Sequence, residues 1–523
     1  MPVVQQGSVN TTAMVVPDLY VQIVPPQTLV LNGVPTNVVG VVGTASWGPV
    51  GQPVIVATMA DFARNFGSLA ARKYDMGTQV AAAVQQGASN FRCVRVTDGT
   101  DMAAQYALFY ASGAWPMLLT ARSTGSLGNA IGVAMAPGSA AGSWRLTLTL
   151  PGLAPEVFDN VAGTGSVFWQ NLVNVVNQGN GALRGPSQLV VASLGSATST
   201  APQGLSNQFL LGGSDGASGV SAAMLIGSDT LPRRGMYVLR GQGCGIALLA
   251  DVDDASRWQE QAQFGLSEGV YMILTGPSGD TIANAVTQRQ AAGLDSYAAK
   301  LMFGDWLYWN DPVNGGVRLV SPQGFAAGRL SNLSPEQSSL NKPIYGVIGS
   351  QKSGAPFSGQ TMTYSAAELS VLLQQGIDVI CNPMPGGSYW GVRGGHNSSS
   401  NPATNGDNYT RMTNYISATL SAGMGLYVGQ LINEDLFRRI RATQLSFLQN
   451  MQSQGMLGST DGSIPFSVIC DVTNNPLSRT SLGYVQSDAQ VQYQAINEKV
   501  IVNLEGGQTV SIQRQTLPGG RIQ

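Results

Sequence analysis

Three short segments of the sequence resemble motifs that carry chemistry in enzymes. Residues 212–216 (Gly-Gly-Ser-Asp-Gly) fit the G-x-S-x-G pattern, in which a strained turn exposes a nucleophilic serine next to a histidine base. That chemistry needs a histidine, and the chain contains one, His396, within a segment rich in glycine, serine and asparagine. We therefore interpret residues 212–216 as a glycine turn and not as a catalytic serine site.

Two other glycine-rich segments resemble nucleotide-binding loops without completing one. In residues 241–245 (Gly-Gln-Gly-Cys-Gly) the third glycine comes one position too early for a dinucleotide loop. Asp251 and Asp253 also come far sooner than the roughly twenty residues that separate such a loop from its ribose-binding acid. Residues 276–281 could hold a phosphate at a helix N-terminus, but no lysine follows as in a Walker A loop. An enzyme with a Rossmann-like nucleotide-binding domain near residues 234–303 is thus a less favoured alternative.

The sequence also gives little support for a metal site or for general acid–base catalysis. A single histidine excludes HExxH and multi-histidine metal sites, and the four cysteines are widely spaced without a CxxC pair. We interpret these cysteines as small buried hydrophobic residues of a reducing compartment. The acidic pairs at 253–254 and 434–435 stand where helices are predicted to begin, so capping explains them better than general acid–base catalysis. The sequence predicts no catalytic residue, no cofactor and no metal site.

The composition argues against several classes of partner. Charged residues make up 11% of the 523 positions, against about 25% in ordinary soluble domains, and the net charge is −2. So small a charge argues against a nucleic-acid groove and against binding to an anionic membrane surface. No apolar run approaches the length of a membrane span, and no signal-peptide pattern opens the chain. We expect a protein made in the cytosol whose charge-poor surface is covered by partners.

Both ends of the chain have strand-forming sequences. Residues 489–495 alternate small or apolar residues with glutamine, which predicts a strand with one buried face. A second apolar segment covers 499–504, and residues 508–512 continue the pattern after a Glu-Gly-Gly turn. Near the N-terminus, residues 14–16 and 19–24 are similar. An isolated two-stranded ribbon is barely stable in water, so these ends need a sheet, either of their own domain or of a neighbouring subunit.

The N-terminal half predicts an α/β unit followed by a β-rich region. Residues 20–96 combine buried-strand runs with helices that begin near Thr58 and Met76. Residues 97–213 contain more alternating sequences and turns, of which 144–150 is the clearest alternation.

The C-terminal half returns to mixed helices and strands. From residue 234 the predicted order is β-α-β-α-β, beginning with a strand at 236–239 and ending with one at 299–303. That order is typical of a doubly wound, mostly parallel sheet. Asn433 caps the strongest predicted helix, and its apolar stripe predicts a core-facing side.

Several short segments match one protein family in order and spacing over nearly the full length of the chain. They are residues 16–21 (Val-Pro-Asp-Leu-Tyr-Val), 39–45, 47–49, 61–62, 66–67, 91–96, 125–131, 211–216, 376–380, 389–393 and 474–476. With these segments the chain resembles a contractile bacteriophage tail sheath protein, most closely of the Mu-like group. It departs from the family pattern where Asp18 replaces the usual glycine and where Gly394, after Arg393, replaces a common threonine.

The resemblance implies a multidomain fold of the α/β and α+β classes. An inner α+β domain is completed by strands from both termini, and an inserted outer region contains β-rich and Rossmann-like α/β parts. The implied boundaries are an N-terminal arm, 1–24, packing with the inner polymerisation domain and C-terminal arm, 427–523; a linking α/β domain, 25–96 plus 330–426; and an outer region, 97–329, β-rich over 97–213 and α/β over 214–329.

The resemblance also implies a function. The chain would be a structural subunit, not an enzyme, which polymerises as stacked six-fold rings around a tail tube and contracts to drive that tube through the host envelope. Its partners would be other copies of itself, the tail tube protein, the baseplate and the tail terminator, with no nucleic acid and no membrane insertion. It would be located in the virion tail, and in the host cytoplasm during assembly. The sheath of a related contractile injection or bacteriocin particle is the alternative.

We expect the two chain ends to donate strands to neighbouring subunits. The expected arm residues are Val15, Val16, Leu19, Val21 and Ile23 at the N-terminus, and Val500, Ile501, Val502, Leu504, Val510 and Ile512 at the C-terminus. The expected receiving sheet contains Ala489, Val491, Tyr493 and Ala495 of another copy.

Overall fold

The computed structural model describes residues 3–6, 20–23, 31–109, 113–181 and 184–508, with the backbone alone for the first two ranges. In those two ranges, β1 (Val3–Gln6) pairs in parallel with β2 (Tyr20–Ile23). The strand predicted at 19–24 is therefore confirmed at β2, which contains Val21 and Ile23. Five expected arm residues lie outside the described residues: Val15, Val16, Leu19, Val510 and Ile512.

The first α/β segment follows the sequence prediction closely. It contains β3 (Val39–Gly43), β4 (Pro53–Val56), α1 (Met59–Phe66), α2 (Met76–Gln85) and β5 (Phe91–Arg95). A capping box of Thr58 and Asp61 begins α1, as the sequence predicts. The helix ends at Gly67, whose φ of 80° suits a residue without a side chain.

The β-rich region forms a unit with its own core. Its elements are β6 (Gln105–Leu108), β7 (Met117–Ala121), β8 (Gly132–Pro137), β9 (Trp144–Thr149), β10 (Glu156–Val161), α3 (Gly165–Gln178), β11 (Val190–Leu194) and β12 (Leu205–Phe209). They form two antiparallel sheets, in the orders β10-β9-β8-β12 and β11-β7-β6. Apart from Trp47, the buried residues of this core lie between Ala104 and Leu210. We call residues 100–213 the insert.

The chain then returns to alternating helices and strands. The elements are α4 (Ala222–Ile226), β13 (Gly227–Ser228), β14 (Arg234–Gly235), β15 (Ile246–Leu249), α5 (Trp258–Glu268), β16 (Tyr271–Thr275), α6 (Ile282–Ala292) and β17 (Ala299–Met302). The strand predicted at 236–239 is wrong, because these residues form a 3₁₀ turn. Met236 and Leu239, three positions apart, are the two buried residues of that turn, which is the spacing of a 3₁₀ helix and not of a strand.

A mixed segment completes this part of the chain. It contains β18 (Leu307–Asn310), β19 (Val317–Val320), α7 (Gln323–Ser331), β20 (Val347–Ser350), α8 (Ala366–Gln374), β21 (Ile377–Asp378), β22 (Ile380–Cys381) and β23 (Gly391–Val392).

A single seven-stranded sheet joins strands that are distant in sequence, in the order β21-β17-β16-β15-β3-β5-β4. All neighbouring strands are parallel except β4 with β5. Val39 and Val41 of β3 face one core, which α1, α2 and α7 cover, and Val42 faces a second core covered by α5, α6 and α8. We call this three-layer unit the α/β body.

The sheet crosses the boundaries that the sequence predicted at residues 97 and 330. Strands β15 to β17, assigned to an outer region, lie beside β3, where Ile246 is opposite Val39. The α/β part of the predicted outer region, 214–329, therefore shares its sheet with the predicted linking domain. How the chain divides into independent domains remains a prediction.

The last unit contains two long helices and a strand pair. Its elements are α9 (Asp407–Met424), α10 (Glu434–Ser453), β24 (Phe466–Ile469), α11 (Leu477–Thr480) and β25 (Asp488–Val491). Asn433 caps α10 as predicted, and its apolar stripe is buried. None of the helices in the described ranges is both long and apolar enough to cross a membrane.

The geometry of the junction lets us predict that the insert can be removed. The Asp98 N–H donates to the Gly216 carbonyl at 2.8 Å, and the Asp98 carboxylate accepts from the Gly219 N–H at 2.8 Å, so the two ends of the insert meet. We expect the α/β body to fold and to melt cooperatively after residues 100–213 are replaced by a short Gly/Ser linker. The variant should also carry Trp47→Gln, because removal of the insert would expose the Trp47 indole. Circular dichroism and electron microscopy of the variant measure its folding and its assembly. A folded variant that forms no polymer would contradict a peripheral role for the insert.

Candidate assembly interface

The G-x-S-x-G match and the single histidine take part in contacts that hold the fold together. Ser214, of the G-x-S-x-G match, pairs through its backbone with Met102 where the insert begins. The neighbouring Asp215 carboxylate binds the Arg72 guanidinium. The imidazole of His396 contacts the Glu498 carboxylate. Ser214 and His396 thus take part in separate contacts.

In the segment that resembles a phosphate loop, backbone N–H groups donate hydrogen bonds to side chains of the protein itself. The Gly279 N–H donates to Gln351 Oε1 at 2.7 Å, and the Thr281 N–H donates to Asp280 Oδ1 at 2.8 Å. Thr281 Oγ1 caps α6 by accepting from the Asn284 N–H at 3.2 Å. Groups that a phosphate would need are therefore already bonded within the protein.

The cysteines are buried, as the sequence predicts. All four are free thiols within the folded chain, and burial raises the pKa of the Cys244 thiol to about 12. In the part of the chain that the structure describes, no cluster of three or more His, Cys, Asp or Glu residues is arranged to hold a metal ion.

A long open groove runs between helix α9 and the strand segment that contains β25. Its volume is about 810 Å³. One side is formed by a single face of α9, with Tyr409, Thr413, Ile416 and Leu420 at helical spacing. The other side is formed by the predicted receiving residues, Ala489, Val491, Tyr493 and Ala495. The structure therefore brings all four predicted receiving residues together on one surface.

Contacts near one end of the groove hold this segment to the helix. The Tyr493 hydroxyl lies 3.1 Å from Thr413 Oγ1, and the Tyr493 ring meets the Tyr409 ring edge-on at 5.8 Å between centroids. Asn408 Nδ2 donates to the Gln494 carbonyl at 3.0 Å. Val491 and Tyr493 are half-buried against the core of α9 and α10, whereas Ala489 and Ala495 are exposed. The predicted one-sided burial is thus present for the two larger residues.

The strand that lines the groove belongs to a minimal sheet. β25 pairs antiparallel with β24, with Phe466 opposite Val491, and among the described residues these two strands form the whole sheet. Each strand therefore has an outer edge that pairs with no other strand among the described residues. A two-stranded ribbon is marginal in water, so this sheet would gain stability from additional strands.

The segment that follows the groove is apolar and exposed. Val500, Ile501, Val502 and Leu504 are 75%, 85%, 78% and 91% exposed. The strand predicted at 499–504 is wrong for the single subunit, since these residues have no regular secondary structure. A strand forms by pairing, and within the described chain this segment pairs with no other strand. We call residues 499–504 the C-terminal arm.

Solved structures with the same architecture supply the comparison. The sheath tail protein from Desulfitobacterium hafniense is 15% identical with a TM-score of 0.57, over 86% of this chain and 93% of that one. The sheath tail protein Lin1278 from Listeria innocua is 15% identical with a TM-score of 0.58, over 84% of this chain and 89% of that one. The chain has the sheath fold.

The likeness extends to a sheath solved within an assembly. The anti-feeding prophage helical sheath in its contracted state is 10% identical with a TM-score of 0.55, over 94% of this chain and 99% of that one. No model of a protein family and no curated protein matches the sequence. The resemblance to tail sheath proteins inferred from short segments is therefore confirmed by the fold.

Within the sheath fold, a buried ion cluster joins the α/β body to helix α9. Lys300 Nζ donates to Asp378 Oδ2 at 2.6 Å, to Asp407 Oδ1 at 3.0 Å and to the His396 carbonyl at 3.0 Å. The Tyr271 hydroxyl donates to Asp407 Oδ1 at 2.6 Å. The three charged side chains are at most 1% exposed. Because Lys300 lies on β17 and Asp407 begins α9, this cluster fixes the groove helix to the sheet.

The ionic cluster holds Lys300 and Asp407 in their charged forms. Burial raises the pKa of Asp407, but the Lys300 charge and hydrogen bonds from Ser339 and Tyr271 outweigh it, so the pKa lies below the ordinary value. Burial lowers the pKa of Lys300, but the charges of Asp378 and Asp407 outweigh this effect, so the pKa lies above the ordinary value. Sequence reasoning missed this cluster, although a lysine within the apolar run 298–303 was a usable signal.

Proposed function

We propose that this protein is the structural subunit of a contractile tail sheath. Copies of the chain would polymerise as stacked six-fold rings around a tail tube and contract to drive the tube through the host envelope. The observation that carries the proposal is the exposed apolar C-terminal arm, which follows the open groove between α9 and the β25 segment. Both features belong to a chain with the sheath fold.

If neighbouring copies exchanged arms, the apolar side chains of the arm would be covered and the groove would be filled. Four exposed large apolar side chains within five residues are a liability unless a partner covers them. An added strand would form main-chain hydrogen bonds of about 1 kcal/mol net each, and each buried Val, Ile or Leu would contribute roughly 1.5 to 3 kcal/mol. An arm of this length would hold two copies together by several kcal/mol even while other contacts rearrange.

The N-terminal arm would act in the same way. Val21 and Ile23 lie in β2, which pairs with β1 in a ribbon of two strands. Such a ribbon also needs a sheet to join. We propose that residues 1–24 and 427–523 together form the inner, polymerising domain, with 25–96 and 330–426 linking it to the outer region, 97–329.

The partners and the location follow from a sheath role. The partners would be other copies of the chain, the tail tube protein, the baseplate and the tail terminator. The protein would act in the virion tail after assembly in the host cytoplasm. Contraction would then release free energy stored in a metastable extended lattice, through rearrangement of packed subunits.

Negative-stain electron microscopy of the purified full-length protein tests the proposal. We expect long hollow tubes with an annular repeat. Discrete particles of fixed size at every concentration would contradict it and would favour a conventional soluble enzyme.

We predict that sheath contraction needs no nucleotide and no metal. The Gly279 and Thr281 N–H groups of the loop at 276–281 already donate to Gln351 and Asp280, so the loop offers no ready phosphate site. Extended sheaths triggered by acid or mild denaturant should shorten equally with and without ATP, magnesium or a chelator. The measurement is sheath length by electron microscopy, with phosphate release followed in parallel. Contraction that depends on ATP hydrolysis would contradict the prediction.

A further inference from the structure

One side-chain contact holds the base of the C-terminal arm to the α/β body. His396 Nε2 lies 2.7 Å from Glu498 Oε1, and Glu498 immediately precedes the arm. The imidazole is 16% exposed and the carboxylate 39% exposed. The neutral tautomer that carries its proton on Nε2 can donate this hydrogen bond, and so can the charged imidazolium.

The histidine is itself held on rigid structure. The His396 N–H donates to Asp378 Oδ2 at 3.2 Å, and its carbonyl accepts from Lys300 Nζ at 3.0 Å. Its backbone also forms a bridge with Gly406, next to the start of α9. The imidazole therefore projects from a loop that is fixed by the buried ion cluster.

The segment that leads to the arm has open space on two sides. The groove along α9 lies on one side, and a second cavity of about 840 Å³ is lined by Lys342, Arg393, Asn497 and Glu498. Asn408 holds the beginning of the segment at the Gln494 carbonyl. Among the described side chains, His396 alone lies within hydrogen-bonding distance of the Glu498 carboxylate.

We infer that the His396–Glu498 contact sets the direction in which the C-terminal arm leaves its own subunit. This inference rests on the proposed function, in which the arm binds a neighbouring copy. An arm with a fixed base samples fewer directions, so its effective concentration at the neighbouring groove is higher and its docking costs less entropy. His396 and Glu498 thus act by positioning the arm, and Glu498 also lines the groove.

Alanine substitutions at the two positions test the inference in the polymer. His396→Ala and Glu498→Ala should each raise the protein concentration needed for tube formation about three- to tenfold, the effect of losing one partly exposed hydrogen bond. The double variant should assemble no worse than either single variant, because both remove the same contact. His396→Gln, which retains a donor, should recover part of the loss.

A matched control separates the contact from a general charge effect. Glu505 is exposed on the same segment, and Glu505→Ala should assemble like the wild type. Thermal melting should be unchanged in all variants, because His396 contacts the ion cluster through its backbone alone. Wild-type behaviour of both alanine variants, or easier assembly than the wild type, would overturn the inference.

A measurement on the single subunit keeps the inference separate from the proposed function. At concentrations below assembly, trypsin should cut after Lys499 severalfold faster in His396→Ala and Glu498→Ala than in the wild type or Glu505→Ala, since cleavage needs a locally freed backbone. Equal cleavage in all four proteins would show that the contact does not hold the arm. A wild-type protein that forms no tubes would instead refute the proposed function.

Discussion

Removal of residues 499–523 is expected to yield a folded subunit that no longer forms tubes. Four exposed apolar side chains of the C-terminal arm, Val500, Ile501, Val502 and Leu504, would lose their place in a neighbouring groove. At roughly 1.5 to 3 kcal/mol for each buried side chain, the concentration needed for assembly should rise by more than about a hundredfold. Sedimentation and electron microscopy measure the loss of polymer, and thermal melting measures the retained fold.

Point substitutions distinguish the arm from a general effect of truncation. Replacing Val500, Ile501 and Val502 together by serine should reproduce the loss of tubes. Leu231→Ser, a change of equal chemistry at another position that is 82% exposed, should leave assembly unchanged. A truncated chain that still builds long contractile sheaths would show that the arm has no role in joining subunits.

Lys300→Met is expected to destabilise the subunit strongly. The substitution leaves Asp378 and Asp407 buried without the charge of Lys300, and breaking a buried ion pair from one side costs about 3 to 5 kcal/mol of unfolding free energy. Because the cluster joins β17 to α9, the groove should also lose its shape and assembly should fail. Chemical denaturation measures the free-energy change, provided that unfolding is two-state.

A second lysine provides the matched control. Lys73 pairs with Asp253 at 2.9 Å, but it is half exposed. Lys73→Met should change the free energy of unfolding by less than about 1 kcal/mol, as for other surface pairs. Similar losses in both variants would contradict the importance of burial at the cluster.

The pH dependence of the wild-type stability follows in part from the two shifted groups of the cluster. The pKa of Asp407 is lowered by folding, so its contribution is complete above its unfolded pKa of about 3.9 and is lost as the pH falls through the folded value. The pKa of Lys300 is raised, so its contribution is complete below about 10.4 and is lost as the pH rises through the folded value. The stabilisation that Lys300 and Asp407 give the wild-type protein should therefore be constant between about pH 5 and pH 9 and be lost at both extremes.

Local structure was largely predictable from the sequence, whereas long-range pairing was not. The capping residues Thr58 and Asn433 and the alternation at 144–150 specify helix starts and a strand through contacts only a few residues long. The pairing of Ile246 with Val39 could not be predicted from the sequence, because buried parallel strands are uniformly apolar and their sequences do not specify their partners. Predicted boundaries at 97 and 330 consequently divided strands that share one sheet.

The candidate interface was predictable in part for a related reason. The period-two pattern at 489–495 identified residues that line the groove, although the predicted strand ends at Val491 and residues 492–495 have no regular secondary structure. The same reasoning assigned a strand to the C-terminal arm, which in the single subunit has no partner strand among the described residues. The buried cluster around Lys300 depends on side chains from three distant segments, which a pattern of neighbouring residues does not reveal.

A cryo-electron microscopy reconstruction of the assembled protein tests the exchange of arms most directly. We expect residues 499–504 of one copy to form a strand beside β24 or β25 of a neighbouring copy, with their apolar side chains covered at the α9 groove. A reconstruction in which the arm folds onto its own subunit, and the neighbouring groove stays empty, would contradict a sheath held together by exchanged strands.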